Sequence, residues 1–232
     1  MSEHVGPRFP VYITGDPTSA RSIVVLQEGF GVNRHIRTVA DRFADVGFFA
    51  VAPHLYHRDG SPEISYNNIE QAKLAMSHLS LQGLQNDLDA TTDFLTAQGY
   101  GFRSIGAVGF CMGGSVAFYA ATTPNFGAAV SFYGGGITTS RMGLPPLLDL
   151  ASELQVPWLG LFGDLDEGIP VADVEALRAA TSSVAVTTEI VRYADAHHGF
   201  HNEERPSVHD EVDAADAFER AVNFLNANLL GT

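Results

Sequence analysis

The chain has one cysteine, Cys111, one tryptophan and one lysine, Lys73. A single cysteine excludes an intramolecular disulfide and any zinc site built on thiolates. Basic residues are scarce: 13 Lys and Arg stand against 27 Asp and Glu, a formal charge of −14. Such a chain repels phosphates and shows no basic stripe, so neither nucleic acid nor an anionic membrane surface is an expected partner. No run approaches the roughly 18 apolar residues of a membrane-spanning helix. The first 20 residues hold no apolar core behind basic residues. No secretory leader is therefore expected, and a cytoplasmic location is the default. Low hydrophobicity is not among the deficits. At 45% apolar residues the chain has enough to build a core, which argues against disorder. Its length suits a single α/β domain over residues 1–232.

Short β-branched runs alternate with amphipathic segments. Ser22–Leu26, Phe48–Ala52, Ile105–Gly109, Ala128–Tyr133, Val156–Phe162 and Val184–Tyr193 read as strands, and the nearly continuous apolar character of the first suits burial on both faces of a parallel sheet. Helical spacing appears over 34–45, 68–79, 84–97, 112–121, 170–180 and about 208–229. In the last of these Val212, Ala215, Phe218, Val222, Leu225 and Leu229 are the expected apolar face. Residues 54–62 read as a loop, and 135–155 as an irregular excursion within the domain. Strands separated by helices predict an α/β fold, a mostly parallel sheet with helices on both faces. Ligands of such sheets bind beyond the carboxyl ends of the strands, so chemistry is sought just after each strand.

Three such places carry suitable residues. Gly109-Phe110-Cys111-Met112-Gly113-Gly114 leaves a strand and opens a helix. A sharp turn there would lift the thiol out of the sheet, and close strand–helix approach would demand glycine on both sides. A helix N-terminus also favours thiolate. After the next-to-last strand stand two carboxylates, Asp164 and Asp166, either of which can orient an imidazole. After the last strand come His197, His198 and His201, and spacing does not choose among them. The histidine cluster lacks an accompanying carboxylate pattern for metal, so no metal is expected. The glycine turn lacks the features of a phosphate loop, so no organic cofactor is implied either. The order of nucleophile, acid and histidine is that of α/β-hydrolases, with cysteine in the usual serine position. Gln27-Glu28-Gly29-Phe30 follows the first long strand, and backbone N–H groups there and at Met112 are candidate oxyanion donors.

These residues together resemble the dienelactone hydrolase family of the α/β-hydrolase superfamily. The marks are Q-E-G-F-G-V-N at 27–33, A-P-H-L-Y at 52–56, G-F-C-M-G-G at 109–114, F-Y-G at 132–134, F-G-D-L-D-E-G-I-P at 162–170 and H-H-G-F at 197–200. The resemblance implies Cys111 as nucleophile, Asp166 as the acid, His198 as the histidine, and Glu28 as a carboxylate that meets the resting thiol. It implies Gly29 and Met112 as the oxyanion donors. The family's two substrate-binding arginines have no counterpart in register: the first region holds only Lys73, Asn202 stands near the second position, and Arg58 and Arg205 are displaced.

The expected function is hydrolysis of a small ester or lactone through a Cys111 acyl-enzyme. Phe30, Tyr56, Tyr133, Phe200 and Asn202, all beside strand ends, are the expected substrate-binding residues, and aromatic walls with few cations suggest a small, fairly apolar substrate. Two alternatives are a non-hydrolytic binding or redox-responsive module on the same scaffold, and a general carboxylesterase or thioesterase. Oligomeric state is not readable from the sequence.

Overall fold

The structure is a computed structural model that describes residues 4–5 and 9–231. In chain order its strands and helices are β1 (His4–Val5), β2 (Pro10–Thr14), β3 (Ser22–Leu26), α1 (Arg34–Asp45), β4 (Phe49–Pro53), α2 (Ile69–Ser77), α3 (Leu81–Thr96), β5 (Ile105–Phe110), α4 (Met112–Ala120), β6 (Ala128–Phe132), α5 (Leu147–Leu150), β7 (Trp158–Gly163), α6 (Val171–Thr181), β8 (Thr188–Tyr193) and α7 (Glu211–Asn228). The eight strands form one sheet in the order β1-β2-β4-β3-β5-β6-β7-β8. From β4 to β8 every pairing is parallel, whereas β1 and β2 are antiparallel additions at one edge. The architecture is that of the α/β-hydrolases.

Local chemistry explains the element ends. Asn33 caps α1 by accepting from the N–H of Ile36 at 3.2 Å. Ser80 does the same for α3 through Gly83 at 3.2 Å, and Asp210 caps α7 through both Val212 and Asp213 at 3.0 Å. β3, β4, β5, β6 and β7 are buried at every position, as strands covered on both faces must be. α4 is buried on nearly all sides and lies against β5 and β6. Gly106 in β5 leaves room for Ile23 and Leu225, which a Cβ would meet at 2.8 and 2.9 Å.

Three expectations need correction. β2 lies outside the strands expected from the sequence, because Pro10 and the Gly15-Asp16-Pro17 turn mask the β-branched run between them. The fourth strand runs through Pro53 rather than stopping before it, since at an antiparallel pairing with β2 that residue sits opposite Val11. The apolar face of α7 is rotated. Ala214, Ala217, Ala221, Phe224 and Leu225 are buried, while Val212 is 76% exposed. Small alanines let this helix approach the sheet closely, which a hydrophobicity count undervalues.

Strand order reverses beside β3: the chain steps outward from β3 to β4, then returns to lay β5 on the other flank. The connections leaving the carboxyl ends of β3 and β5 therefore run to different sides and leave a crevice between them. Glu28 and Cys111 follow those two ends.

Behind the crevice His35 and His201 are buried side by side, ring centroids 5.8 Å apart. None of their four ring nitrogens has a hydrogen-bond partner among the described residues. Burial pushes both imidazoles below the ordinary histidine range, and for His201 the charge of His35 adds to this. Both bind protons more readily unfolded than folded. Stability should therefore fall as pH drops through the ordinary histidine range. Urea unfolding at a series of pH values between 7 and 5 checks this. His201→Phe should flatten the slope, and an unchanged slope would assign the acid lability elsewhere.

Candidate active site

Cys111 occupies the bend between β5 and α4 with φ 55° and ψ −114°, a conformation that non-glycine residues seldom adopt. The bend is possible only because its neighbours lack side chains. A Cβ on Gly109 would lie 1.8 Å from the carbonyl oxygen of Gly113, and one on Gly113 would lie 2.2 Å from that of Leu26. Backbone bonds hold the strain in place: Cys111 N–H donates to Phe132 O at 3.0 Å and Gly113 N–H to Gln27 O at 3.1 Å. Gln27 is itself clamped, its Oε1 accepting from Leu55 N–H at 3.1 Å. In the first turn of α4, Gly114 and Ser115 donate back to Cys111 O. Met112 N–H, in the first turn of α4, has no helical acceptor.

Two loops deliver the other groups. After β7, Asp164 N–H bonds Tyr193 O at 2.8 Å and Leu165 N–H bonds Ala196 O at 3.0 Å, which knits the loop after β7 to the loop after β8. Gly163 permits this, since a Cβ there would fall 2.2 Å from Ala196 O. Asp166 and His198 are thereby brought together, Nδ1 of His198 donating to Oδ2 at 2.5 Å. The other carboxylate oxygen of Asp166 accepts from Gly168 N–H at 2.8 Å. The second candidate, Asp164, is spent elsewhere: both its oxygens bind the Arg192 guanidinium at 2.7 Å. The three histidines separate as well. His201 is enclosed by Phe110, Phe132 and Phe218, His197 sits at the outer mouth, and His198 faces Cys111.

Burial disfavours charge on His198 and is the largest single influence on it. The negative charge and hydrogen bonds of Cys111 and Asp166 together outweigh it and raise the imidazole to about 10. His198 therefore favours its protonated form, hydrogen-bonded to Asp166 with Cys111 close by.

Glu28 is buried, and its oxygens are occupied by neighbours other than the thiol. Oε1 accepts from Tyr133 Oη–H at 3.1 Å and Oε2 from Asn202 Nδ2 at 2.9 Å. Tyr133 is fully buried, and its burial, with Glu28 and Cys111 close by, pushes the phenol well above its usual range, so it remains a donor. Its backbone has φ 40°. Removing this donor in Tyr133→Phe leaves a buried carboxylate oxygen unpaired. The expected cost is about 1–3 kcal/mol of stability in urea unfolding; no loss would mean that Glu28 finds another partner.

The cleft beside Cys111 has a volume of about 300 Å³ and opens between Met76, Met112, Met142, Arg141 and His198. An outer recess continues past Lys73, Arg141 and Arg205. The residues expected as its walls lie elsewhere. Phe30, Tyr56, Tyr133, Phe200 and Asn202 are all buried beneath the cleft, where they support it: Tyr56 Oη bonds Gly29 O at 3.1 Å, and Tyr133 packs edge-on against His198 at 5.2 Å. Gly29 borders Met76, whose sulfur would be 3.3 Å from a Cβ at that position.

Residues 9–229 match the dienelactone hydrolase family. The chain belongs to that family. A relative from Methylorubrum extorquens, provisionally named a carboxymethylenebutenolidase, is 37% identical over 202 residues, which cover 86% of this chain and 69% of that one. A relative from Yersinia pestis with the same provisional name is 34% identical over 225 residues, 96% of this chain and 79% of that one. Among solved structures, a provisionally assigned dienelactone hydrolase from Klebsiella pneumoniae aligns with a TM-score of 0.82 at 30% identity, over 94% of this chain and 92% of that one.

As a dienelactone hydrolase family member the chain is a hydrolase. Beyond Cys111, Met112 and His198, the cleft-lining residues Met76, Arg141 and Met142 are not legible as such in the sequence. Met76 lies at the end of α2, and Arg141 and Met142 in the irregular stretch after β6, where no periodicity marks an inward side chain. Arg58, displaced from the family pattern, is bound bidentately by Asp87 at 2.8 Å on both oxygens. Among the described residues no helix is long and apolar enough to cross a membrane.

Proposed function

We propose that this dienelactone hydrolase family member cleaves a small carboxylic ester or lactone through an acyl-enzyme on Cys111. The observation that carries the reading is the Asp166–His198 hydrogen bond beside Cys111, which stands at a strained bend and lines the same cleft as His198.

In the reaction Sγ attacks the carbonyl carbon, and the carbonyl π electrons move onto oxygen. Met112 N–H and Gly29 N–H receive that oxyanion, each worth about 2.7–4 kcal/mol in comparable sites. Collapse breaks the C–O bond, and the His198 imidazolium gives its Nε2 proton to the departing alkoxide. Neutral His198 then takes a proton from water, which attacks the thioester and releases the acid and Sγ. Asp166 keeps Nδ1 protonated and Nε2 aimed at the sulfur throughout. Glu28, tied to Tyr133 and Asn202, supplies negative charge behind the thiol without touching it. The substrate is a small molecule, and no cofactor is required by these steps. A cytoplasmic location is part of the same reading.

Acid-quenched mixing with an activated ester, followed by intact-mass measurement, tests the covalent step. One added acyl group on Cys111 is expected. Turnover with no adduct, even when the quench precedes the first cycle, would replace the acyl-enzyme with direct attack by water.

A further inference from the structure

The segment between β6 and β7 is irregular in sequence, yet its turn at Arg141–Leu144 is closely specified. Arg141 and Leu144 exchange both backbone hydrogen bonds, at 3.2 and 2.8 Å. The two residues between them, Met142 and Gly143, have φ of 56° and 74°. Positive φ at both central positions defines a two-residue turn whose first position favours Asn, Asp or Gly. Gly143 also has a steric reason, because a Cβ would come 2.8 Å from Leu81 N at the start of α3. Met142 has no backbone reason. A long L side chain there is strained, and the segment is held against relaxing by Ser140 Oγ–H on Leu144 O at 2.6 Å and Thr138 Oγ1–H on Asp173 at 3.0 Å.

The Met142 side chain, partly buried, lines the cleft with Cys111, Met76 and Met112. Three of the chain's four methionines meet there. Thioethers of this kind are flexible and apolar and adapt to the shape of what they touch.

We propose that Met142 is a specificity-determining residue. Its side chain closes an apolar subsite for the group attached to the reacting carbonyl, and the substrate class is an ester or lactone whose group at that place is unbranched, apolar and limited in length. The strained turn is kept because it presents this side chain to the thiol. The inference deepens the reading of Cys111 as nucleophile, and its test has one arm that depends on hydrolysis and one that does not.

The first arm measures kcat/KM for p-nitrophenyl esters from acetate to octanoate. In the wild type the value should fall once the acyl chain outgrows the subsite. Met142→Ala should move the fall to longer chains and raise the octanoate-to-acetate ratio by about tenfold. Met142→Asn suits the turn while shortening the apolar part, so it should show the same direction with the fold retained by melting. The second arm measures the rate at which N-alkylmaleimides of increasing length label Cys111, the sole thiol. Both variants should raise the hexyl-to-methyl rate ratio. Unchanged ratios in both arms, in variants that melt cooperatively, would overturn the proposal. A shifted maleimide ratio with no ester turnover in any form would leave the subsite standing and overturn the hydrolytic reading instead.

Discussion

Cys111→Ala is expected to reduce ester turnover to background, a loss of about six orders of magnitude in kcat where nucleophile and base act as a unit. The substitution removes little volume and leaves the bend intact, because Gly109 and Gly113 hold it through backbone packing. Melting temperature should therefore change little. The assay is steady-state hydrolysis of an activated ester with wild type and variant side by side. Residual activity within tenfold of wild type would show that the thiol is not the nucleophile.

Asp166→Asn should cost about 10⁴-fold in kcat by analogy with the same exchange in serine triads, and it carries a pH signature. Asp166 and Cys111 together hold the His198 proton up to about 10 against burial. With the carboxylate gone, attraction and hydrogen bonding weaken while burial remains, so the imidazolium loses its proton at lower pH. The imidazolium is the acid that protonates the leaving alkoxide. The alkaline limb of kcat/KM should therefore move to lower pH in the variant. An amide that still bonds Nδ1 through its oxygen would preserve ring position, which separates the electrostatic effect from simple misplacement. An alkaline limb that stays where it was would remove Asp166 from control of His198.

How much of this was legible depends on the range of the forces involved. The bend at Cys111 follows from residues adjacent in the chain. Glycines two positions to either side are what a tight strand–helix junction needs, and the short-range clash of a Cβ with backbone is visible from spacing alone. The buried parallel strands were similarly plain, since a strand covered on both faces has nowhere to place polar residues. The choice between Asp164 and Asp166 was of another kind. Two carboxylates in one turn have the same local chemistry, and what separates them is that Arg192, 28 residues from Asp164, takes both oxygens of one. His197, His198 and His201 divide for the same reason, one to the outer mouth, one to Asp166 and one to an aromatic enclosure.

The aromatic walls show the opposite error. Phe30, Tyr56, Tyr133 and Phe200 do stand beside strand ends, but large rings next to a sheet turn inward where they remove most area from water. The cleft is left to methionines from α2, α4 and an irregular turn.

By itself, then, the order of residues determined the parallel core, the junction that raises Cys111 and the family to which the chain belongs, because each depends on contacts between near neighbours or on motifs read in line. Tertiary structure supplied the physical reason for Asp166 over Asp164, and alone decided that Glu28 is claimed by Tyr133 and Asn202 and that Met142 lines the cleft with Cys111. Those outcomes are settled by competition among hydrogen-bond partners and by space between elements far apart in the chain, and no local pattern encodes who wins.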